Sequence, residues 1–242
     1  MPHGGPDWST GGQISTVHTV EDLGELAARL GSIVTHDRRG NIIWYDDFES
    51  GVHQWVVDKT AGRGSVKWDA TLSLRGGFSA KLTTGAIDGD RIMMDKWLTT
   101  PVISRLGYEL SFDIPLYLDF IHFAIDVYDG EYENVIQFNW IEATKTWQYY
   151  GPDTNYHDLS PTMTLATAND IFHTVKVVAD LTTGYYVRLI VNSYVYDLTD
   201  KQYRKRASGF GPYLGLYYDI TNDRATECSG YLDNAILTQN EP

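Results

Sequence analysis

The sequence has a single cysteine, Cys228, among 242 residues. An intrachain disulfide is excluded, and so is a zinc site built from several thiolates. Basic residues are also scarce: 19 Lys and Arg stand against 32 Asp and Glu, a formal charge of −13. A surface that neutralises phosphates needs the opposite balance, so nucleic acid is not expected as a partner. No apolar run approaches the ~20 residues of a membrane-spanning helix, and membrane insertion is not expected. The opening Met1-Pro2-His3-Gly4-Gly5-Pro6 has neither the basic segment nor the apolar core of a secretory signal. Synthesis and folding in a cytoplasm are expected, with any outside role reached by lysis or on a particle. Long Ala/Glu/Lys/Leu runs are nearly absent, which argues against a helical protein.

What is present suits strands. Seventeen Tyr and seven Trp accompany many Val and Thr, residues that fit a pleated, half-buried surface. Alternation marks strands at Ser79–Thr84, Gly107–Ile114, Phe120–Tyr128, Asn134–Trp140, Phe172–Asp180, Tyr185–Val191 and Tyr194–Leu198, with later ones at Tyr213–Tyr218 and Tyr231–Thr238. Asp129-Gly130, Thr183-Gly184 and Asn192-Ser193 read as the turns between them. Many short strands with frequent turns predict an all-β antiparallel sandwich over residues 46–242. Residues 1–45 read as a separate N-terminal arm. It comprises a Gly/Pro-rich tail, a short helix over 20–30 capped by Thr19 and stopped by Gly31, and a small hairpin turning at Arg38-Arg39-Gly40-Asn41. Leu23, Leu26, Ala27 and Leu30 share one face of that helix. Three turns of helix need a docking surface to be stable, so this face is the expected assembly contact.

Three stretches carry a resemblance. Asp46-Asp47-Phe48-Glu49-Ser50-Gly51 followed by Trp55 is similar to the opening strand of many carbohydrate-binding modules. Phe172-His173-Thr174-Val175-Lys176-Val177, Gly184-Tyr185 and Val191-Asn192-Ser193 resemble the central ribbon of laminin-G and concanavalin-like domains. Tyr231-Leu232-Asp233-Asn234-Ala235-Ile236-Leu237 resembles their closing strand. The resemblance implies a jelly-roll β-sandwich over roughly 46–238, a fold that hosts lectins, glycosidases and virion proteins alike. The arm resembles those of phage or virus-like structural proteins. In binding modules of this kind a structural Ca²⁺ sits between opening and closing strands, which would assign Asp47, Glu49 and Asp233 as its ligands.

For chemistry, concanavalin-like glycosidases place alternating acidic residues along one strand, with nucleophile and acid about 5 Å apart. No such run is present; Glu131 and Glu133 beside Asp129-Gly130 are the nearest pair and read as turn and strand edge. The histidines form no metal-ligand spacing, and Cys228 reads as an inert buried thiol. A sugar platform needs exposed aromatics beside polar groups. Trp140, Trp147, Tyr149 and Tyr150 with Asn155 and Asp158 are the expected carbohydrate-binding residues; the competing reading is that sandwich cores use Trp and Tyr heavily. Lys201 to Arg206 is the one basic cluster and reads as a solvated loop.

The arm tilts the expectation toward a non-catalytic, homo-oligomeric component of a particle, such as a capsid decoration or tail fibre, meeting other particle proteins through the arm and displayed on the particle surface. The alternatives are a carbohydrate-binding module or lectin with a glycan partner, and a glycoside hydrolase or lyase on the same sandwich.

Overall fold

The computed structural model describes residues 39–167 and 171–242. The predicted helix, with Leu23, Leu26, Ala27 and Leu30, lies outside the described residues. Within them run sixteen strands: β1 (Asn41–Asp46), β2 (Val56–Lys59), β3 (Ser65–Asp69), β4 (Ser79–Thr83), β5 (Arg91–Leu98), β6 (Arg105–Asp113), β7 (Leu118–Tyr128), β8 (Tyr132–Ile141), β9 (Thr146–Tyr150), β10 (Tyr156–Asp158), β11 (Phe172–Asp180), β12 (Tyr185–Val191), β13 (Tyr194–Asp197), β14 (Arg204–Ala207), β15 (Tyr213–Asn222) and β16 (Ser229–Gln239).

They form two eight-stranded antiparallel sheets. The first has the order β13-β12-β11-β6-β16-β4-β3, with β1 also paired to β16. The second has the order β10-β9-β8-β7-β15-β5-β2, with β14 also paired to β8. Neighbours in space are far apart in sequence, as the long crossovers of a jelly roll require. β16 changes partner along its length. Ser229 to Leu232 pair with β4 and Ala235 to Gln239 with β1, while β6 lies along the other side. The exchange takes place at a bulge where Asn234 adopts a left-handed conformation, which Asn tolerates better than most residues.

β1 corrects the expected boundary. Residues 41–45, read as half of a hairpin in the arm, continue into Asp46 as one strand that joins the sandwich against Ala235 to Gln239. Their exposed apolar side chains looked like a local pair, but the partner edge comes from the other end of the described chain.

Strict alternation sets the core. On β7, β8 and β15 the inward side chains are Ile121, Phe123 and Ile125; Ile136, Phe138 and Trp140; and Leu214, Leu216, Tyr218 and Ile220, all fully buried. Opposite them, Leu106, Tyr108, Leu110 and Phe112 of β6 and Val175, Val177 and Ala179 of β11 do the same. Hairpins are closed by the expected chemistry. Asp129 accepts the amides of Glu131 and Tyr132 beside Gly130 at φ +98°. Asn192, left-handed between β12 and β13, reaches back with its side chain to the Thr174 amide and to His173 Nδ1. The other ring nitrogen of His173 meets the Ala166 carbonyl at 3.1 Å. Burial holds this imidazole below its ordinary pKa, so His173 is a staple between segments.

Candidate functional site

The side chains expected to form a sugar platform do not come together. Trp140 and Trp147 face each other across the β8–β9 hairpin with no exposed surface. Both take the inward phase of the alternation set by Phe138, so they belong to the core. Tyr149 packs at the core margin and borders a cleft with Asp153, His157, Tyr185, Lys201 and Gln202. Asn155 is engaged within its own loop by Asp153. Only Tyr150 and Asp158 of the predicted set fall on the outer face of the second sheet.

The three carboxylates expected to hold Ca²⁺ each accept backbone amides, although Asp233 Oδ1 has no hydrogen-bond partner. Asp47 accepts the Glu49 amide, Glu49 accepts the amides of Gly77 and Phe78, and Asp233 accepts those of Leu74 and Arg75. Together they pin the loop before β4 against the β16 bulge. Among the described residues no three Asp, Glu, His or Cys side chains are grouped to hold a metal ion, so the predicted three-carboxylate cage does not fit this arrangement.

The outer face of the second sheet carries a different constellation. Registers across seven strands line up one row as Asp58, Met93, Asp219, His122, Asn139, Gln148 and Asp158. The next row runs Val56, Asp95, Tyr217, Ala124 and Gln137, toward Tyr150 and Tyr156. A third holds Trp97, Gly215, Asp126, Val135 and Arg204, and a fourth Tyr213, Tyr128, Glu133 and Arg206.

These groups are bonded to one another along the face. His122 Nδ1 lies 2.7 Å from Asp219 Oδ2. Trp97 Nε1 donates to Asp95 at 2.6 Å, and Tyr156 Oη donates to Gln137 at 3.1 Å. Tyr128 Oη donates to Glu133 at 2.8 Å, and Arg206 pairs with the other oxygen of that carboxylate. Arg204 donates to Tyr150 Oη at 3.1 Å. Gly215 leaves room for Tyr217 to lie over the sheet, since a Cβ there would meet the Tyr217 ring at 2.6–2.8 Å. At one end an aromatic stack forms: Trp97 on Tyr213 with centroids 5.0 Å apart, Tyr213 on Tyr128 at 4.1 Å, and Phe210 edge-on to Tyr128 at 5.7 Å. Trp97 and Phe210 remain 54 % and 64 % exposed at its tip.

Five buried polar atoms on this face have no hydrogen-bond partner: Asp95 Oδ1, Asp126 Oδ1, Asn139 Oδ1, Asp219 Oδ1 and Thr221 Oγ1. Buried polar groups are nearly always satisfied, so each exception calls for an explanation. Burial, reinforced by the nearby Glu133 charge, pushes the Asp126 carboxyl up to about 7. A native pKa raised above the ordinary 3.8 means that the protonated form is favoured by folding. The contribution is full below the unfolded value and is lost as pH rises through about 7. Asp126→Asn should therefore flatten the fall in Tm between pH 4 and pH 8, measured by thermal melts across that range; an unchanged slope would remove Asp126 as its source.

The sequence missed most of this face because its members are spaced one per strand. The basic run 201–206, read as a loop, contributes β14, and alternation sends Arg204 and Arg206 to the outer side beside Val135 and Glu133. β5, which supplies Asp95 and Trp97, was not predicted at all.

No protein-family profile matches the chain, and no curated protein sequence matches it. Solved structures do. A cellulose-induced protein, Cip1, aligns over 81 % of this chain and 96 % of its own, at 17 % identity and TM-score 0.55. The fold is that of the jelly-roll, concanavalin-like β-sandwiches. An endo-β-1,4-glucuronan lyase from the fungus Trichoderma reesei aligns over 83 % of this chain and 96 % of its own, at 11 % identity and TM-score 0.55. A Bacillus subtilis protein of unknown function with a galectin-like fold aligns over 84 % and 97 %, at 10 % identity and TM-score 0.54. At these identities the likeness is one of fold. None of these three structures is named as a particle component, so they lend nothing to the reading drawn from the arm.

Proposed function

We propose that the protein binds a glycan on the outer face of its second sheet. The observation that carries this reading is the aromatic stack of Trp97, Tyr213, Tyr128 and Phe210, open at Trp97 and Phe210 and flanked by the polar rows of that face. Pyranose rings stack on an exposed aromatic such as Trp97. Polar groups placed beside an aromatic wall are the usual make-up of a specific small-molecule or carbohydrate surface. The fold shared with the glucuronan lyase and the galectin-like protein is consistent with a carbohydrate ligand. The assembly role expected from the arm takes second place, because it rests on residues outside those described.

Trp97→Ala removes the exposed end of the stack without touching the core and should abolish measurable glycan binding in affinity electrophoresis and titration calorimetry. Phe210→Ala, at the other exposed end of the stack, should weaken it as well. Unchanged binding in both variants, with native circular dichroism, would place the site elsewhere.

A second reading adds catalysis to the same face. Its support is Asp126, whose carboxyl is raised to about 7 beside Glu133, the separation of environments that acid–base pairs use. Release of reducing or unsaturated ends from a polysaccharide panel, lost in Asp126→Asn with binding retained, is the outcome expected if the face is catalytic. Binding without turnover leaves a lectin-like module.

A further inference from the structure

We infer that the cleft between the β9–β10 hairpin and the crossing from β13 to β14 is a second ligand site, and that it takes a short neutral oligosaccharide. It is separate from the outer face and does not rest on the reading of that face.

β9 and β10 lie at the open margin of the second sheet. Tyr149 pairs with Phe138 and His157 with Tyr149, so all three take the inward phase. Phe138 is fully buried, but at the margin the His157 side chain is 40 % exposed. The inward side of the margin is therefore a hollow, about 430 Å³ in volume and bounded opposite by Tyr185, Lys201 and Gln202. That size falls within the range of small-molecule sites.

Both walls are set by the fold itself. On one side Tyr185 and Gln202 form a β-bridge, and the Tyr186 amide donates to the Lys201 carbonyl at 2.9 Å. Gln202 Nε2 donates to the Tyr185 hydroxyl at 2.7 Å. On the other, His157 Nε2 lies 2.8 Å from Asp153 Oδ1, and the ring stacks on Tyr149 with centroids 5.1 Å apart. Gly151 makes room for this pair, since a Cβ there would meet His157 Nε2 at 2.7 Å and Asp153 Oδ1 at 2.8 Å. Thr154 in the same loop is left-handed, at φ +68°. A β-branched residue rarely adopts that conformation, and such strain gathers at ligand clamps.

The open chemistry is that of a polyol's partner. Asp153 is met by His157 and by the Asn155 side chain, bonds that hold its carboxyl down to about 2. Asp200 is met by Lys201 at 2.9 Å. A charged sugar thus finds no opposite charge left unmet. Hydroxyls do find partners. Among the described residues nothing bonds the Tyr149 hydroxyl, His157 Nδ1 or Gln202 Oε1, and the Tyr185 hydroxyl keeps its hydrogen to donate. All four side chains are partly or well exposed, within reach of a ligand, and the two tyrosines add aromatic surface for a pyranose. Tyr185 also borders a second hollow of about 280 Å³, where Arg105 is paired with Asp180. A chain of two or more rings can run past Tyr185 from one hollow to the other.

The test is titration calorimetry of the full chain with cello-, xylo- and mannotetraose in a Trp97→Ala background, which removes the outer-face site, with amide NMR shifts mapping the contact. At least one tetrasaccharide should bind one-to-one and shift the amides of Gly151, Thr154 and Gln202. Tyr185→Ala and Gly151→Ala should each weaken that binding tenfold or more. Gln202→Ala, a change at an exposed side chain that leaves the fold intact, should weaken it several-fold and keeps the test decisive if either of the others fails to fold. No binding in the Trp97→Ala background, or binding indifferent to the folded cleft variants, overturns the site. Wild-type binding that disappears in Trp97→Ala would still support the outer face, so the two readings fail separately. Glucuronate or glucosamine tetrasaccharides that bind the cleft as tightly as the neutral ones overturn the neutral class.

Discussion

Glu241→Gln is expected to cost about 3–5 kcal/mol of stability, the usual result of breaking a buried ion pair from one side. Glu241 has no side-chain exposure and Lys176 has 1 %. One Glu241 oxygen meets Lys176 Nζ at 2.6 Å and the Thr238 hydroxyl at 2.5 Å, and the other meets Arg188 at 3.1 Å. Lys176 also donates to the Arg39 carbonyl at 3.1 Å, and Arg188 to the Pro242 carbonyl at 2.8 Å. The cluster thus ties both ends of the described chain to β11 and β12. Glutamine keeps the size and one acceptor but leaves two buried cations facing a neutral amide. At this chain length the loss corresponds to a Tm lower by about 10 °C. The double variant Lys176→Met with Glu241→Gln should be less destabilised than the sum of the single changes, because it removes the ammonium together with its partner carboxylate. Additivity in denaturant titrations would show that the charges act independently.

Trp147→Ala should lose a similar amount, about 3–5 kcal/mol, as a large buried aromatic replaced by a methyl group leaves a cavity. The ring is fully buried, opposite Trp140 and edge-on to Phe123 at 6.0 Å. Its indole nitrogen has no hydrogen-bond partner, so the contribution is packing. Trp147→Phe keeps most of the apolar volume, deletes that unsatisfied N–H, and should cost under about 1.5 kcal/mol. The pair of variants separates the core reading from the sugar-platform reading of this residue. If Trp147→Phe folds normally but loses a glycan that the wild type binds, the ring belongs to the ligand after all.

The contrast between Trp147 and Trp97 shows what the sequence could and could not convey. Strand positions were legible where alternation is strict: Phe172–Asp180 and Tyr185–Val191 are bounded as read. So were the turns at Asp129-Gly130 and Asn192-Ser193, whose conformations follow from residue type. Strands β2, β3, β9, β10 and β14, three to five residues long, offer few positions in which a period can show, although β4 and β13 of similar length were legible. The outer-face rows were hidden for a related reason. Its rows cross the strands, so neighbours such as Asp219 and His122 are 97 residues apart in sequence, and pairing rather than proximity joins them. A cluster of aromatics in sequence drew attention to Trp140 and Trp147, but clustering does not tell the inward phase from the outward one. One hairpin supplied both, with Trp147 inside and Tyr150 outside.

The alternation that separates these phases also bears on divergence. Each position in the outward rows sits on its own strand, in a backbone ladder indifferent to what that side chain is. Exchange of Asp95, Gln137 or Arg204 alters the outer face and leaves inward neighbours such as Met94, Ile136 and Tyr203 in place. Lineages sharing this sandwich can therefore drift apart in ligand one rung at a time while the interior conserves only size and apolarity. The solved structures that superpose over more than 80 % of the chain at 10–17 % identity share that fold.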